Sequence, residues 1–454
     1  MIYNDSDTIV AAATPTGGAI CIVRLSGEQA IAICDKVFRG RRPLQDARPA
    51  SALYGRIVDG EEVVDDVILT LFRAPHSYTG EDSVEISTHG SRYVVERVIS
   101  LLVRHGARLA EAGEFTRRAF LAGRMDLAQA EAVADLIAAD SHASHAIAST
   151  QMRGAYSEEL QSLRDKLLNI TSLLELELDF SEEDVEFADR TQLLELLELT
   201  LAKVEHLAHS FALGNALKEG VQVAIVGRPN VGKSTLLNRL AGEDRAMVSD
   251  VAGTTRDTVE VTVNIGGVIY RLIDTAGLHT TADKLEQMGI ERTAEALSKA
   301  RIILWLTDDE HSLMEDDLIG YVPSSTQQTY RIITKIDLAT SASCEACASP
   351  YPTIRLSART GAGVDALVKA LQASADATGA YNGEVIISNR RHHEALCQAQ
   401  EALMAALNAL QNDIPTDLMS EDIRLALHHL GSITGEISSE DILQNIFSHF
   451  CIGK

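Results

Sequence analysis

The 454-residue chain contains few aromatic residues, few cysteines and an excess of acidic over basic residues. Aromatic side chains make up 4% of it, which argues against a stacking platform for single-stranded nucleic acid. Six cysteines are too sparse for a disulfide scaffold, and we expect reduced thiols. The 40 lysines and arginines are outnumbered by 65 aspartates and glutamates, which gives a net charge of −25. We therefore expect no broad adhesion to anionic lipid or to DNA.

Long apolar stretches are also missing. A typical apolar run, Ile302–Leu306, is far shorter than the roughly 20 residues that a membrane-spanning helix needs. The first ten residues, MIYNDSDTIV, have neither the basic start nor the apolar core of a signal peptide. We expect a cytoplasmic protein with no membrane contact.

The remaining composition, 46% hydrophobic and 23% charged, is that of a globular protein, and the length predicts about three domains. Residues 1–118 mix short β-like runs with glycine and proline turns, which predicts an α+β domain. Residues 119–217 and 379–454 show helical spacing. Residues 218–378 alternate strands and helices, which predicts a largely parallel sheet covered on both faces. The order predicts an α/β domain inserted between two parts of a helical domain, since insertion needs only termini that lie close together.

Local patterns predict three further features. Leucines in an acidic stretch recur at spacings of three, four and seven, as one buried helix face requires. These leucines are Leu160, Leu163, Leu167, Leu174 and Leu178. Ser420 and Ser439, each followed by Glu-Asp, are predicted to be helix N-caps. Gly266-Gly267, between two β-like runs, predicts a hairpin turn.

The most specific motif is GRPNVGKS at residues 227–234, a G-x-x-x-x-G-K-[ST] loop between a β-like run and a helical run. Its glycines let main-chain amides close around phosphate oxygens, and the helix N-terminus adds positive potential. Lys233 should reach the β- and γ-phosphates, and Ser234 should bind Mg²⁺. The predicted nucleotide contacts of this loop are Asn230, Val231, Gly232, Lys233, Ser234 and Thr235.

Four shorter motifs follow in order, most of them at the end of a predicted strand. Thr255 of GTTRD is a candidate second Mg²⁺ ligand, Asp274 of DTAG can hold Mg²⁺ through water, and Asp337 of TKID can accept two guanine hydrogens. The remaining candidates for nucleotide contact in these motifs are Gly253, Thr254, Thr275, Ala276, Gly277, Thr334, Lys335, Ser357, Ala358 and Arg359. Each string is weak alone, but their order is specific.

This region resembles the translation-factor-like GTPases, of the TrmE-Era-EngA-like kind. The base-reading motif of that group is Asn-Lys-x-Asp, and Thr334 departs from it. Because Asp337 is the residue that rejects adenine, we still predict GTP over ATP. Losing the asparagine amide should cost about 1–3 kcal/mol if its partner stays unpaired.

The catalytic group is left open by the motifs alone. Ras-type enzymes place a glutamine after D-x-x-G to orient water, and Leu278 stands there instead. Three acidic residues follow as candidates, and spacing does not choose between Asp283, Glu286 and Glu291. Lys233 and Asp274 complete the candidate catalytic set.

A closer resemblance covers the chain from about Asp7 to Lys454. The strings IVRLSG, SYTGEDSVEISTHG, GEFTRRAFLAGRMDLAQAEAVADLI and the ending FCIGK resemble the MnmE (TrmE) family of tRNA-modifying GTPases. The resemblance implies a folate-binding-like N-terminal domain, a helical domain and an inserted GTPase domain. It also implies a homodimer that works with the FAD-containing flavoprotein MnmG (GidA). Together they modify carbon 5 of the wobble uridine of certain tRNAs with a one-carbon unit carried by 5-formyl- or methylene-tetrahydrofolate.

The same resemblance assigns residues. It implies that K⁺ assists hydrolysis in place of an arginine finger, held by Asn230, Ser249, Val251 and Thr254, with Asp250 and Ala252 beside the nucleotide. It assigns Glu286 as the acid that orients water. For folate it implies Arg24, Glu85, Arg124 and Lys454, although Ala122-Gly123-Arg124 replaces the usual Asn-x-Lys and changes the donor geometry.

Binding of tRNA to so acidic a chain requires local basic patches. Three clusters are present: Arg39, Arg41, Arg42 and Arg48; Arg117, Arg118 and Arg124; Arg390 and Arg391. At cellular salt the Debye length is about 8 Å, so such a patch can act despite distant acid. Two other function classes stay open: a regulatory or ribosome-assembly GTPase switch, and a folate-dependent one-carbon transferase with a relic GTPase.

Overall fold

In the computed structural model the chain divides into two compact units. The first consists of residues 1–134, 151–165 and 427–454, and the second of residues 135–150 and 166–426. The structure describes residues 7–179, 190–242, 259–274, 294–308, 321–324, 327–338, 349–376, 385–412, 414–438 and 440–453.

A seven-stranded sheet organises the first unit, in the order β3-β4-β5-β6-β2-β1-β7. The strands are β1 Ile9–Ala12, β2 Ile20–Ser26, β3 Phe38–Gly40, β4 Ala52–Asp59, β5 Glu62–Phe72, β6 Ser83–His89 and β7 Arg108–Leu109. Each neighbouring pair is antiparallel except β1 with β7. Helices α1 (Ala30–Val37) and α2 (Arg92–Arg104) pack their apolar residues onto one face of the sheet, which confirms the predicted mixture of strands and helices.

Most other helices lie outside the two sheets. They are α3 Glu114–Leu121, α4 Leu127–Ala138, α5 His142–Met152, α6 Ala155–Asp179, α7 Arg190–Glu219, α10 Arg390–Gln411, α11 Thr416–Thr434 and α12 Glu440–Ser448. In the second unit α7 packs against α10. None of the helices in the described ranges combines the length and the apolar character needed to cross a membrane.

The leucine spacing in α6 correctly predicted buried positions, whereas one predicted helix N-cap was wrong. Leu160, Leu163, Leu167 and Leu174 are buried in α6 as predicted, while the side chain of Leu178 lies outside the described part of the helix. Ser420 is not an N-cap, because α11 begins at Thr416 and Ser420 lies inside it. The first turn of α11 instead follows Pro415, whose carbonyl oxygen accepts a hydrogen bond from the Leu418 N–H. Met419 and Ile423 are buried and extend the apolar face of this helix. Ser439 lies outside the described residues.

A six-stranded sheet organises the middle of the second unit, in the order β13-β12-β11-β8-β10-β9. The strands are β8 Val221–Val226, β9 Val259–Ile265, β10 Val268–Asp274, β11 Ile302–Thr307, β12 Gln328–Ile333 and β13 Thr353–Arg355. Only β9 runs antiparallel, paired with β10 through the predicted turn at Gly266-Gly267. Helices α8 (Lys233–Gly242) and α9 (Val364–Asp376) pack on this sheet, and residues 294–299 are also helical. The predicted alternation of strand and helix is therefore confirmed here.

Candidate functional site

The polar motifs of the second unit lie at one edge of its sheet. Strands β8, β10, β11, β12 and β13 are parallel, so their carboxyl ends meet at the same edge. Residues 227–232 follow β8, Asp274 ends β10, Thr334 follows β12 and Ser357 lies just beyond β13. Ligands of open α/β sheets bind at this kind of edge. The structure thus brings together motifs that the sequence separates by about 130 residues.

The loop of residues 227–232 has a backbone that most side chains would obstruct. Gly227 has a φ of +145°, and a Cβ there would overlap the carbonyl oxygen of Leu306 on the neighbouring strand. Gly232 has a φ of +104°, and Asn230 adopts a φ of +65°, which asparagine tolerates better than most residues. The loop leads directly into α8, which begins at Lys233. Its amides and the helix N-terminus form a site suited to phosphate.

Lys233 and Ser234 begin α8 and face the loop from two sides. The buried Lys233 donates through Nζ to the carbonyl oxygens of Gly227 and, at 2.8 Å, Arg228. Ser234 Oγ donates to Asp274 Oδ2 at 3.0 Å, so the hydroxyl on the first turn of α8 meets the carboxylate at the end of β10. Oxygen ligands of this kind suit Mg²⁺, which takes few protein ligands together with phosphate oxygens. The roles of Lys233 toward phosphate and of Ser234 toward Mg²⁺ stay predictions.

Thr334 ties the loop that follows β12, the predicted base-reading loop of residues 334–337, to the loop of residues 227–232, the predicted phosphate loop. Its buried hydroxyl donates to the carbonyl oxygen of Val231 at 2.6 Å. Its main-chain N–H donates to the carbonyl oxygen of Thr307, at the end of β11, at 2.8 Å. Thr334, which stands where Asn-Lys-x-Asp would have asparagine, thus connects the loop after β12 to the loop after β8 and to the end of β11.

Asp337 and Lys335 occupy the outer part of that loop. A hydrogen bond from the Ser357 side chain, assisted by the charge of Arg359, holds the pKa of the exposed Asp337 below its usual value. An ionised Asp337 is the form that accepts hydrogens from guanine. Lys335 adopts a φ of +58° and donates through Nζ to Asp308 Oδ2 at 2.7 Å.

Several predicted residues lie outside the described residues. They are Ser249, Asp250, Val251, Ala252, Gly253, Thr254, Thr255, Thr275, Ala276, Gly277, Glu286 and Lys454. Their roles stay predictions. Thr235 is exposed on the first turn of α8, and Ala358 follows Ser357 after β13.

The first unit carries a second polar site, on its sheet. Arg24 on β2 and Glu85 on β6 are direct partners in the strand register. Glu85 Oε1 accepts from Arg24 Nε at 3.0 Å and lies 2.9 Å from Nη2. The guanidinium also lies over the rings of Tyr78 and Phe115, at 5.2 and 5.6 Å from their centroids. Arg24 is thus fixed, and the contact with Glu85 uses only one carboxylate oxygen.

The end of the chain reaches this site. Arg24 Nη1 donates to the carbonyl oxygen of Gly453 at 3.4 Å. Ile452 forms a β-bridge with Ala112. Gly453 has a φ of +98°, and a Cβ there would overlap the carbonyl oxygen of Ala12. Arg124 is exposed, and its Cγ and Cδ atoms lie 3.5 and 3.6 Å from the position that a Cβ at Gly80 would occupy.

Sequence reasoning missed the groups that support the predicted residues. Asp308 accepts a hydrogen bond from Lys335. Arg24 packs over the rings of Tyr78 and Phe115 and donates to the main-chain oxygen of Gly453. Asp308 could have been found, because it directly follows a predicted strand whose end belongs at the same sheet edge. No local pattern distinguishes Tyr78 or Phe115 from core aromatics.

The chain is similar to known families and proteins over nearly its whole length. A model of the MnmE helical domain matches residues 127–451, and a model of the GTP-binding protein TrmE N-terminus matches residues 8–124. The tRNA modification GTPase MnmE of Bacteroides fragilis is 47% identical over 464 residues, covering 99% of this chain and 100% of that protein. The protein of the same name from Porphyromonas gingivalis is 47% identical over 473 residues, covering 99% and 98%.

Among solved structures, the G domain of the T. maritima FeoB iron transporter is 23% identical with a TM-score of 0.23, covering 33% of this chain and 94% of that chain. Era bound to MgGDPNP and 16S ribosomal RNA nucleotides is 25% identical with a TM-score of 0.27, covering 41% and 67%. TM-scores this low leave the fold to be judged from the sheet order itself. The two family models and the full-length relatives decide the family: the chain belongs to the MnmE (TrmE) family, whose relatives cited above are named tRNA modification GTPases.

Proposed function

We propose that this chain is a K⁺-stimulated GTP hydrolase that, with a flavoprotein partner, modifies carbon 5 of the wobble uridine (U34) of certain tRNAs. Family membership carries the general statement, that the chain is a GTPase taking part in tRNA modification. One observation supports the nucleotide part most directly. The phosphate loop, Asp274 and the base-reading loop lie at one sheet edge, and Thr334 joins two of them.

In the proposed hydrolysis, the main chain of residues 227–232 binds the phosphates, and Ser234 with Asp274 positions Mg²⁺. The ammonium group of Lys233 contacts loop carbonyl oxygens in this structure and would exchange them for oxygens of the β- and γ-phosphates. Asp337 selects guanine, and Lys335 lies against the base. Thr255 is the proposed second Mg²⁺ ligand, and Gly277 offers its amide to the γ-phosphate.

K⁺ and Glu286 supply what an arginine finger and a glutamine supply in Ras-type enzymes. Asn230 supports the proposed K⁺ site, because its side chain is exposed on the phosphate loop and ends in an amide oxygen. Ser249, Val251 and Thr254 would complete the coordination. Glu286 would orient the attacking water, because Leu278 has no polar group.

A tetrahydrofolate derivative, 5-formyl- or methylene-tetrahydrofolate, is the proposed one-carbon donor in the first unit. Its amide-like pterin donors suit Glu85, whose Oε2 is not used by Arg24, and its anionic carboxylates suit cations. Arg24, Arg124 and Lys454 are the proposed cations. The group would supply the carbon, while the chain's own residues bind and orient it.

The proposed assembly is a homodimer that works with MnmG (GidA), which brings FAD, and with tRNA in the cytoplasm. The proposed domains are a folate-binding-like domain at 1–118, a helical domain at 119–217 and 379–454, and a GTPase domain at 218–378 inserted into it. Helices α7 and α10 support this arrangement, because they pack against each other although the proposed GTPase domain separates them in the sequence.

Two measurements test the proposal together. GTP turnover by the full chain is measured in K⁺ and in Na⁺, with Glu286→Gln as the hydrolysis variant and Glu291→Gln as the matched acidic control. We expect turnover that requires K⁺ and is lost only in Glu286→Gln. Equal turnover in both salts, or equal loss in both variants, would remove the assigned roles of K⁺ and Glu286.

Mass spectrometry of wobble uridine in tRNA from cells lacking this protein tests the second part. We expect the modified nucleoside to disappear and to return with the wild-type chain but not with Glu286→Gln. Unchanged U34 would favour the alternative, a regulatory or ribosome-assembly GTPase. Modification that persists in Glu286→Gln while hydrolysis is lost would favour a one-carbon transferase with a relic GTPase.

A further inference from the structure

Four arginines stand apart from the other basic residues of the first unit. Arg39 lies on the edge strand β3, and Arg41, Arg42 and Arg48 lie in the loop that follows it; we call these four the basic edge. All four are exposed. Residues 36–48 contain five basic residues and one acidic residue, in a chain whose net charge is −25.

Most other arginines of the first unit differ from the basic edge in having a carboxylate partner. Eight other arginines of this domain pair with acidic side chains: Arg24, Arg56, Arg73, Arg92, Arg97, Arg104, Arg108 and Arg118. Among the residues that the structure describes, no ion pair forms with Arg39, Arg41, Arg42 or Arg48. Their charge is therefore available to an external anion.

The loop that carries these arginines is anchored. Leu44 and Ala47 are buried beneath it, and the Leu44 N–H donates to Asp35 Oδ1 at 2.8 Å. Arg73 Nη2 donates to the carbonyl oxygen of Gln45 at 2.9 Å. Arg39 Nη1 donates to main-chain carbonyl oxygens at the end of α1. The cations are thus presented on a fixed surface, which lowers the entropy lost on binding.

Arg39 lies directly opposite Arg56 in the strand register, where like charges repel, but Arg56 already pairs with Asp66. The repulsion between the two arginines is therefore partly offset within the protein. A charged residue on an edge strand also deters pairing with another chain. Arg39 alone would be enough to deter such pairing. Protection of the edge therefore does not explain Arg41, Arg42 and Arg48, which lie beyond the strand.

We propose that the basic edge binds the phosphate backbone of the tRNA, an inference that rests on the proposed tRNA modification. An anionic polymer with closely spaced phosphates suits several exposed guanidinium groups on an anchored main chain, because guanidinium binds phosphate with bidentate geometry. The acidic remainder of the chain limits contact elsewhere, so the edge sets where the RNA lies. It carries no sequence information and acts on any tRNA backbone.

The test compares two double variants of the full chain that remove the same charge. Arg39→Gln/Arg42→Gln neutralises half of the basic edge. Arg92→Gln/Arg104→Gln neutralises two exposed arginines of the same domain that already pair with Glu96 and Asp59. Binding of labelled tRNA is followed by fluorescence anisotropy between about 50 and about 200 mM KCl. GTP turnover and thermal melting show that each variant is folded.

We expect the basic-edge double to bind tRNA about tenfold or more weakly at low salt. The slope of log affinity against log salt should fall in magnitude by about 1.4–1.8, for two lost phosphate contacts. The control double should bind within a factor of about two of the wild type, because its arginines are already neutralised. Equal losses in both doubles would overturn the inference, since they would show an effect of net charge alone.

Two other outcomes separate the inference from the proposed function. If the wild-type chain binds tRNA and the basic-edge double binds it equally well, the inference fails and the proposed function stands. If the wild-type chain binds no tRNA with its flavoprotein partner present, both the inference and the tRNA part of the proposed function fail. Retention on vesicles rich in phosphatidylserine, lost only in the basic-edge double, would assign the surface to a membrane and overturn the RNA proposal.

Discussion

The hydroxyl of Thr334 lies 2.6 Å from the carbonyl oxygen of Val231 and donates a hydrogen bond to it. This bond joins the loop proposed to read the base to the loop proposed to bind the phosphates. The donor comes from the one position at which the base-reading motif departs from Asn-Lys-x-Asp. Threonine therefore keeps a connection within the protein, while it offers no amide to the base.

Thr334→Val should weaken GDP binding, because it removes the donor and leaves the buried Val231 carbonyl unsatisfied. The penalty of about 1–3 kcal/mol corresponds to about a 5- to 150-fold loss, shared between nucleotide affinity and domain stability. Thr334→Ser, which keeps the hydroxyl, is the matched control. Titration with a fluorescent GDP analogue, together with thermal melting, measures both parts. A valine variant that equals wild type in both would show that the bond does not connect the loops.

Thr334→Asn restores the family motif and should tighten GDP binding while raising the preference for GTP over ATP. The amide has two donor hydrogens, so it can keep the Val231 contact and still reach the base. Competition of GTP and ATP for the labelled site measures the preference. Weaker GDP binding by the asparagine variant would mean that the loop spacing in this chain is set for threonine.

Ser234→Ala should lose most of the Mg²⁺ dependence of nucleotide binding, because it removes the hydroxyl that lies 3.0 Å from the Asp274 carboxylate. We expect GDP affinity in Mg²⁺ to fall by about tenfold or more, and affinity in EDTA to change little. Asn238→Ala, at an exposed position one turn further along α8, is the control for helix stability. A Ser234→Ala enzyme that still responds fully to Mg²⁺ would place the ion elsewhere.

Gly453→Ala should detach the chain end from the first unit. A Cβ at this position overlaps the carbonyl oxygen of Ala12, and the φ of +98° is strained for alanine. Arg24 would lose its contact with the Gly453 carbonyl oxygen, so affinity for 5-formyltetrahydrofolate, measured by calorimetry, should fall while GTP turnover persists.

Gly60→Ala is the control for Gly453→Ala. Gly60 has a φ of +64° with open space around it, so it adds about 1 kcal/mol of backbone strain without an overlap. Folate affinity lost equally in both variants would show that general destabilisation, and not the chain end, governs the site.

The pair of His89 and Asp65 should make stability depend on pH. The hydrogen bond to Asp65 raises the pKa of His89, with Nδ1 2.7 Å from Oδ1. A raised folded pKa stabilises the protein below the unfolded histidine pKa of about 6.5, and this contribution is lost as pH rises through the folded pKa. The thermal midpoint of wild type should therefore exceed that of Asp65→Asn by more near pH 5 than near pH 8.

A remainder of that difference should persist at high pH, because Asp65 Oδ2 also accepts from the His89 main chain at 2.8 Å. Asp59→Asn is the matched control, since Asp59 pairs with Arg97 and Arg104, which stay charged throughout. A difference for Asp65→Asn that is as flat with pH as that for Asp59→Asn would contradict the assignment.

Local sequence patterns predicted the positions of many groups in the proposed nucleotide site. The G-x-x-x-x-G-K-S loop, the strand ends at Asp274 and Thr334, and the Gly266-Gly267 hairpin follow from hydrophobic period and turn chemistry, which act over a few residues. The prediction failed at Ser420, where a capping pattern lies inside a helix. There the apolar face through Met419 and Ile423 outweighed the local preference of serine for a cap.

The sequence alone determined the order of the motifs and the family, because each motif is a contiguous string whose function depends on neighbouring main-chain geometry. Tertiary structure alone decided which distant groups meet. Arg24 contacts Glu85, 61 residues away, and Gly453, 429 residues away. The four unpaired arginines of the basic edge became distinct only when the ion pairs of the other arginines were seen. Such contacts depend on strand register and packing between remote segments, and no short-range pattern encodes either.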